Sequence, residues 1–294
     1  MAYRFFPFTR PVSPALAGTG VVCLGAILWS YWPTLAEVAD RWVHDPLYSH
    51  GFLVPVFAAV LVWARRSEFQ AERARTSLWG LVVLASGIGL RLVGARFHFN
   101  YFDAISLLPC LAGLMLLVGG WETLRWTWPG ILFLAFMIPL PYRLGEALAD
   151  PLRSLATPIC TFVLQTLGIP ALSEGHRILM DEVDLDVVGE CSGLRMLVIF
   201  FALSTAVAVL ARRPLWEKLV ILFSAIPIAI IANVARITAT GLFLEKAGTS
   251  FSEAIHEWAG LAMMPVGLVL LALELTYLNH LLIDPNRAAS PSRP

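Results

Sequence analysis

Long apolar runs alternate along this chain with short stretches that hold nearly all of its charge. Runs near residues 15–32, 48–64, 78–95, 104–120, 128–142, 193–211, 219–243 and 259–279 each approach the roughly 20 apolar residues that cross a bilayer. They predict an all-α polytopic membrane protein of about eight transmembrane helices. Arginine and lysine collect in cytoplasmic loops. Here they cluster at Arg4 and Arg10, at 65–75, at Arg125, at 212–218, and at Arg287 and Arg293. Those clusters fall on every second side of an eight-span path with both termini in the cytoplasm. The 91–103 loop, with Arg91 and Arg96, disagrees with this path. Trp29, Tyr31, Trp32, Trp126, Trp128 and Trp258 gather near span ends, as interfacial anchors do.

Residues 144–172 break the pattern, because Arg143, Glu146, Asp150 and Arg153 punctuate their first half. An amphipathic helix lying on or dipping into the outer face suits this segment better than a span. In the following "HRILMDEVDLDVVGE", apolar and polar residues alternate over 183–188 around a possible turn at Asp181-Glu182. That alternation predicts a short extracytoplasmic β-hairpin. The whole reads as one integral membrane domain over 1–294, with its chemistry in about 173–283 and a flexible tail at about 284–294. Arg4 and Arg10 ahead of an apolar run imitate a secretory signal. No small-x-small cleavage site follows, so the run reads as a retained first span.

Composition agrees with a membrane chain. Charged residues make up 14%, against about 25% in soluble domains, and 58% are apolar. A net charge of zero gives no basic excess for nucleic acid. None of the four cysteines forms a C-x-x-C pair or a ligand spacing with histidine, so neither metal nor cofactor is expected. A Cys160–Cys191 disulfide on an oxidising face is one further option.

Candidate chemistry follows from depth. An α-helix rises 1.5 Å per residue. Arg212 lies 21 residues from Cys191, Lys218 18 from Arg236, and Tyr277 21 from His256. These separations correspond to about 27–32 Å, close to one hydrocarbon thickness. Three spans therefore bring a thiol, a guanidinium and an imidazole to the outer boundary. A helix starting at Cys191 would favour its thiolate, with Arg195 on the same face at i+4 and Gly193 permitting close approach of another backbone. Glu190 opposes the thiolate unless it is paired. Arg236 is either functional or a residue snorkelling to the headgroups, with Asn233 on its face at i−3. Ser250 and Glu253 have capping-box spacing, which puts His256 in the second turn of a helix, as a catalytic group or as an interfacial one. Nucleophile, acid–base and cationic stabiliser form the minimum set for acyl transfer through a thioester. A polar transmembrane cavity of a transporter would collect similar residues.

With these residues in hand, the chain resembles the exosortase/archaeosortase family of membrane cysteine transpeptidases. "ECSGLRML" around Cys191, "NVARI" at 233–237, His256 before the last span and "DPLYSHGFLVP" at 45–55 carry the likeness, which covers about residues 15–280. Family members often carry alanine directly before the cysteine, where this chain has Glu190.

The resemblance implies Cys191 as nucleophile, with Arg236 and His256 as partners. Its implied substrates are exported proteins ending in a Pro-Glu-Pro-type motif, a transmembrane helix and a basic cluster, with the acyl group passed to an acceptor that the sequence does not identify. Arg195, Asn233 and Glu190 would support the site. Tyr48 and His50 would line it from span two, or His50 would cap that helix. The alternative is a non-catalytic exopolysaccharide export component or transporter, in which Arg91, Arg96, Arg236 and outer histidines bind an anionic glycan.

Overall fold

The computed structural model describes residues 14–180, 184–187, 193–211 and 213–247, with positions 269, 270, 272, 273 and 276. The chain is mostly helical, with a small three-stranded sheet. Among the described residues, four helical stretches are long and apolar enough to cross a membrane: Pro46–Ala64, Trp79–Phe97, Asn100–Met137 and Leu215–Glu245. A fifth arises if Gly18–Ser30 and Trp32–His44, bent by 60° at their junction, count as one broken span. The chain forms two compact units, Met1–Leu144 and Gly145–Pro294.

The first unit opens with α1 (Pro14–Ser30) and α2 (Trp32–His44). The bend between them falls where Pro33 follows Trp32, because proline cannot continue the hydrogen-bond ladder of the preceding turn. A 3-10 turn at Pro46–Phe52 leads into α3 (Val54–Ala64), and α4 (Trp79–Phe97), α5 (Asn100–Ile105) and α6 (Leu107–Phe133) follow. Helix α4 packs on the first half of α6 almost backbone to backbone. A Cβ on Gly80 would lie 2.5 Å from the Leu117 nitrogen, and one on Gly113 would lie 2.6 Å from the Leu84 nitrogen. Small residues of this kind let membrane helices approach closely, where lipid supplies no hydrophobic drive.

Asn100–Met137 is 38 residues long, about 57 Å of helix and nearly twice a hydrocarbon core. It is not one straight rod. Gly120 takes φ 67°, ψ −157°, and a Cβ there would meet the Arg75 carbonyl oxygen at 1.9 Å. The chain then folds back on itself. Gly130 packs on Ala58, Trp126 Nε1 donates to the Val62 carbonyl at 2.9 Å, and His50 Nε2 donates to the Phe136 carbonyl at 3.1 Å. Residues 121–137 therefore retrace the length of α3, so the apolar runs expected at 104–120 and 128–142 lie on two segments of this stretch, on either side of Gly120. The 65–75 stretch and the Gly120 reversal share one end of this unit. His44–Phe52, His98–Asp103 and Met137–Tyr142 gather at the other.

In the second unit, α7 (Tyr142–Thr166) is the amphipathic helix expected within 144–172. Gly145, Ala149, Leu152, Ala156, Cys160 and Leu164 form its buried stripe. It ends in a Schellman turn: Gly168 takes φ 88°, and the Ile169 N–H reaches the Leu164 carbonyl at 3.0 Å while both side chains are buried. After Pro170 comes an antiparallel sheet, β1 (Ala171–Glu174), β2 (Arg177–Met180) and β3 (Asp184–Asp186), in the order β1-β2-β3.

Two strands of this sheet are the expected hairpin, whose turn at 181–183 lies outside the described residues. The third, β1, is a correction, since the tail of the 144–172 segment had been assigned to the helix. A two-residue Gly175-His176 turn joins β1 to β2, with Gly175 supplying the positive φ. Helices α8 (Leu194–Leu210) and α9 (Leu215–Ala247) pair through Met196, Phe200, Ile221, Ala225, Ala229 and Ala232. Helix α9 has 33 residues, about 50 Å, and outruns its partner. Its surplus packs on α7 and the sheet through Ile237, Leu244, Cys160, Leu164, Ile178 and Leu185.

Candidate functional site at the α8–α9 seam

Cys191, Glu190 and His256 lie outside the described residues. Gly193, Arg195, Asn233 and Arg236 do not, and they show how the two motifs meet. Helix α8 begins at Leu194, not at Cys191, because Gly193 takes φ 78°, a left-handed backbone that cannot belong to the helix. Arg195 therefore sits in the first turn of α8. A Cβ on Gly193 would lie 2.9 Å from Asn233 Nδ2 and 3.2 Å from its Cγ. Only glycine fits both the backbone conformation and this contact. The group that approaches Gly193 is the Asn233 side chain, where another backbone was expected.

This contact marks a boundary in α9. Below it the helix pairs with α8; above it, from Val234 onward, the helix packs on α7 and the sheet, and the Cys160 thiol donates to the Val234 carbonyl at 3.7 Å. Arg236 lies one turn past Asn233, and each is only 2% exposed. A side chain that snorkels to headgroups stays accessible to them, so Arg236 is instead an arginine enclosed by protein. Enclosure makes its charge costly and its surroundings polar by necessity. Thr238 and Thr240 are buried just beyond it.

A second polar group in this unit went unweighed in the sequence. Arg153, 6% exposed on the buried stripe of α7, donates from Nη1 to Glu146 Oε2 at 2.8 Å and from Nη2 to Glu146 Oε1 at 3.2 Å. Asp150 lies 3.6 Å from the same guanidinium, and His176 Nε2, in the β1–β2 turn, lies 3.7 Å from Asp150. The hydrogen bonds from Arg153 hold the Glu146 carboxyl below the ordinary value of 4.5. The spacing Glu146–Asp150–Arg153 on one helix was the available signal. Its partner turn was not recognisable before β1 was known.

Tyr48 and His50 are buried or half-buried in the first unit. Tyr48 hydrogen-bonds the Leu140 backbone, and His50 is fixed to the Phe136 carbonyl. Both fasten the entry to α3 onto the end of the α6 return.

The mis-sided arginine also has an account. Arg91 Nε donates to Asp103 at 3.1 Å, Nη1 and Nη2 donate to the Ser30 hydroxyl and carbonyl at 2.5 and 2.6 Å, and the guanidinium stacks 4.1 Å over the Tyr31 ring. Asp103 accepts from Thr34 as well. A charge neutralised and held this way fastens three helices, which weakens its assignment to glycan binding.

A polytopic helical membrane protein is thus defined, with Arg236 and Asn233 enclosed and Asn233 packed on Gly193. Residues 42–273 match the family model described as transmembrane exosortase (Exosortase_EpsH), and the chain belongs to that family. Comparison with curated proteins and with solved structures finds no match.

Proposed function

We propose that the chain is a membrane cysteine transpeptidase that cleaves the C-terminal sorting signal of exported proteins at the outer membrane interface. The substrate signal is a Pro-Glu-Pro-type motif followed by a transmembrane tail. One observation carries this reading: Gly193, two residues from Cys191, packs on Asn233, one turn from the buried Arg236. The two motifs that bear the chemistry therefore converge, as a thiol and an oxyanion stabiliser must.

The Cys191 thiolate attacks the scissile carbonyl carbon, forming a C–S bond and an oxyanion that Arg236 stabilises. The C–N bond then breaks as His256 delivers a proton to the leaving amine, which leaves a thioester. An acceptor nucleophile gives its proton to His256, takes the acyl group and releases Cys191. Water in that place yields hydrolysis, and a surface nucleophile yields transfer. Asn233, Arg195 and Glu190 support the three, and no metal or cofactor enters.

About eight spans fit this reading. They comprise the broken first pair, α3, α4, the two halves around Gly120, α8, α9 and a last span near 259–279. The 65–75 basic stretch and the Gly120 reversal, with Arg125 beside it, lie together at one end of the first unit, in keeping with the cytoplasmic face of an inner membrane. Both termini would then be cytoplasmic, and the α8–α9 seam would open outward within the catalytic part at 173–283.

The test is co-expression with a tagged substrate carrying the sorting tail, followed by the mass of its C-terminus. A product shortened by wild type and left full-length by Cys191→Ala supports the reading. Equal shortening in both overturns it.

A further inference from the structure

The outer end of the first unit, as this reading orients it, holds a cleft of about 610 Å³. That is within the roughly 300–1,000 Å³ of sites that take small ligands or short chain segments. One wall is the polar face of α2, with Thr34, Glu37 and Arg41 at helical spacing. The ring-rich stretch Phe99, Tyr101 and Phe102 and the strip Ile138-Pro139-Leu140-Pro141 also line the cleft. None of these residues belongs to the α8–α9 seam.

The charges in the cleft are not equivalent. Glu37 is already satisfied, since Asn100 Nδ2 donates to its Oε1 at 2.6 Å. Arg41 is not consumed by that carboxylate: its Nη2 stands 3.9 Å away, beyond hydrogen-bond reach, with the side chain half exposed. The cleft therefore presents a guanidinium fork with donors to spare, beside an anion that has its partner. A fork of this kind matches a carboxylate in the plane of two N–H groups. Rings and prolines on either side offer apolar shelves of the sort that receive proline-bearing extended peptide, which loses little conformational freedom on binding.

We infer that this cleft is the recognition subsite for the substrate's carboxylate-bearing, proline-containing segment. Arg41 pairs with the carboxylate, and Phe99, Tyr101 and Phe102 seat its apolar neighbours. The inference rests on the sorting-signal reading above and assigns its specificity to residues outside the catalytic motifs.

The experiment uses the full chain in detergent and a fluorescent synthetic peptide containing Pro-Glu-Pro, with Pro-Gln-Pro and Pro-Lys-Pro counterparts. Binding is read by anisotropy, which needs no thiol chemistry. Wild type should prefer the Glu peptide to the Gln peptide by roughly ten- to a hundredfold, and Arg41→Gln should erase that preference. Arg41→Glu should reverse it in favour of the Lys peptide, a gain that misfolding cannot imitate. An undiminished Glu preference in Arg41→Gln, or no peptide binding by wild type, overturns the subsite. Cys191-dependent cleavage of co-expressed substrate is scored separately. Cleavage that is indifferent to Arg41 overturns the cleft and leaves the transpeptidase reading standing, whereas thiol-independent cleavage removes that reading itself.

Discussion

Arg91 in the first unit and Arg236 in the second are both arginines set into apolar helices, yet they are held in different company. Arg91 is about a quarter exposed and gathers Asp103, two groups of Ser30 and the Tyr31 ring, so α1, α4 and α5 close around it. Its position is explained by structure alone. Arg236 is enclosed one turn from an asparagine that packs against Gly193. A buried charge in a membrane bundle is therefore not by itself a site. The distinguishing feature is what the charge stands beside, and for Arg236 that is Asn233, which meets Gly193 at the start of α8.

The comparison breaks most easily at Arg236. Arg236→Lys keeps the charge but loses the planar fork, and substrate processing should fall by roughly a hundredfold or more, the scale of losing an oxyanion donor. Near-full turnover, read from the C-terminal mass of substrate, would make Arg236 as structural as Arg91. Asp103→Ala should do the reverse. The midpoint of thermal unfolding in detergent should drop by several degrees, for a loss of roughly 1.5–3 kcal/mol of charge-assisted hydrogen bonding, while surviving protein still processes substrate.

Gly193→Ala adds a methyl group at positive φ against Asn233, a cost of roughly 1–2 kcal/mol. Processing should fall about tenfold, and Asn233→Ser in the same chain should restore part of it. Additive losses in the double variant would mean that the contact does not couple the motifs.

The smallest effect belongs to Glu146. Its carboxyl titrates below the ordinary value because Arg153 holds the ionised form. The stability this gives is complete above that ordinary value of 4.5 and fades as pH falls through the lowered one. Wild type should therefore exceed Glu146→Gln in thermal stability at neutral pH, by no more than about 1 kcal/mol for a partly exposed pair. The difference should narrow as pH falls below that ordinary value, and a difference that stayed constant through acid titration would remove the ion pair from the account.

Much of the first unit could be read from hydropathy, because its long helices are continuous apolar runs. Even the reversal at Gly120 was foreshadowed by the polar "WETLRW" that follows it. Helix α7 was legible from its amphipathic period. Strand β1 was not, since four residues after Gly168 and Pro170 carry too little alternation to separate a strand from the end of a helix. Arg91 looked like a sidedness error because Asp103, the residue that neutralises it, is twelve positions away. The start of α8 was misplaced for a related reason. Gly193 reads as a small residue permitting contact, and nothing in the string distinguishes that from the left-handed backbone it adopts. Tyr48 and His50 belong to a motif with the right composition, but their partners at 136–140 emerge only when the α6 return lies along α3.

The most direct test of the central claim is to intercept the thioester. Hydroxylamine added to cells expressing wild type and tagged substrate should divert the acyl group, so that the shortened substrate ends in a hydroxamate, and no shortened species should form with Cys191→Ala. Shortened substrate with an ordinary carboxyl terminus in both strains, unmoved by hydroxylamine, would contradict a Cys191 acyl-enzyme.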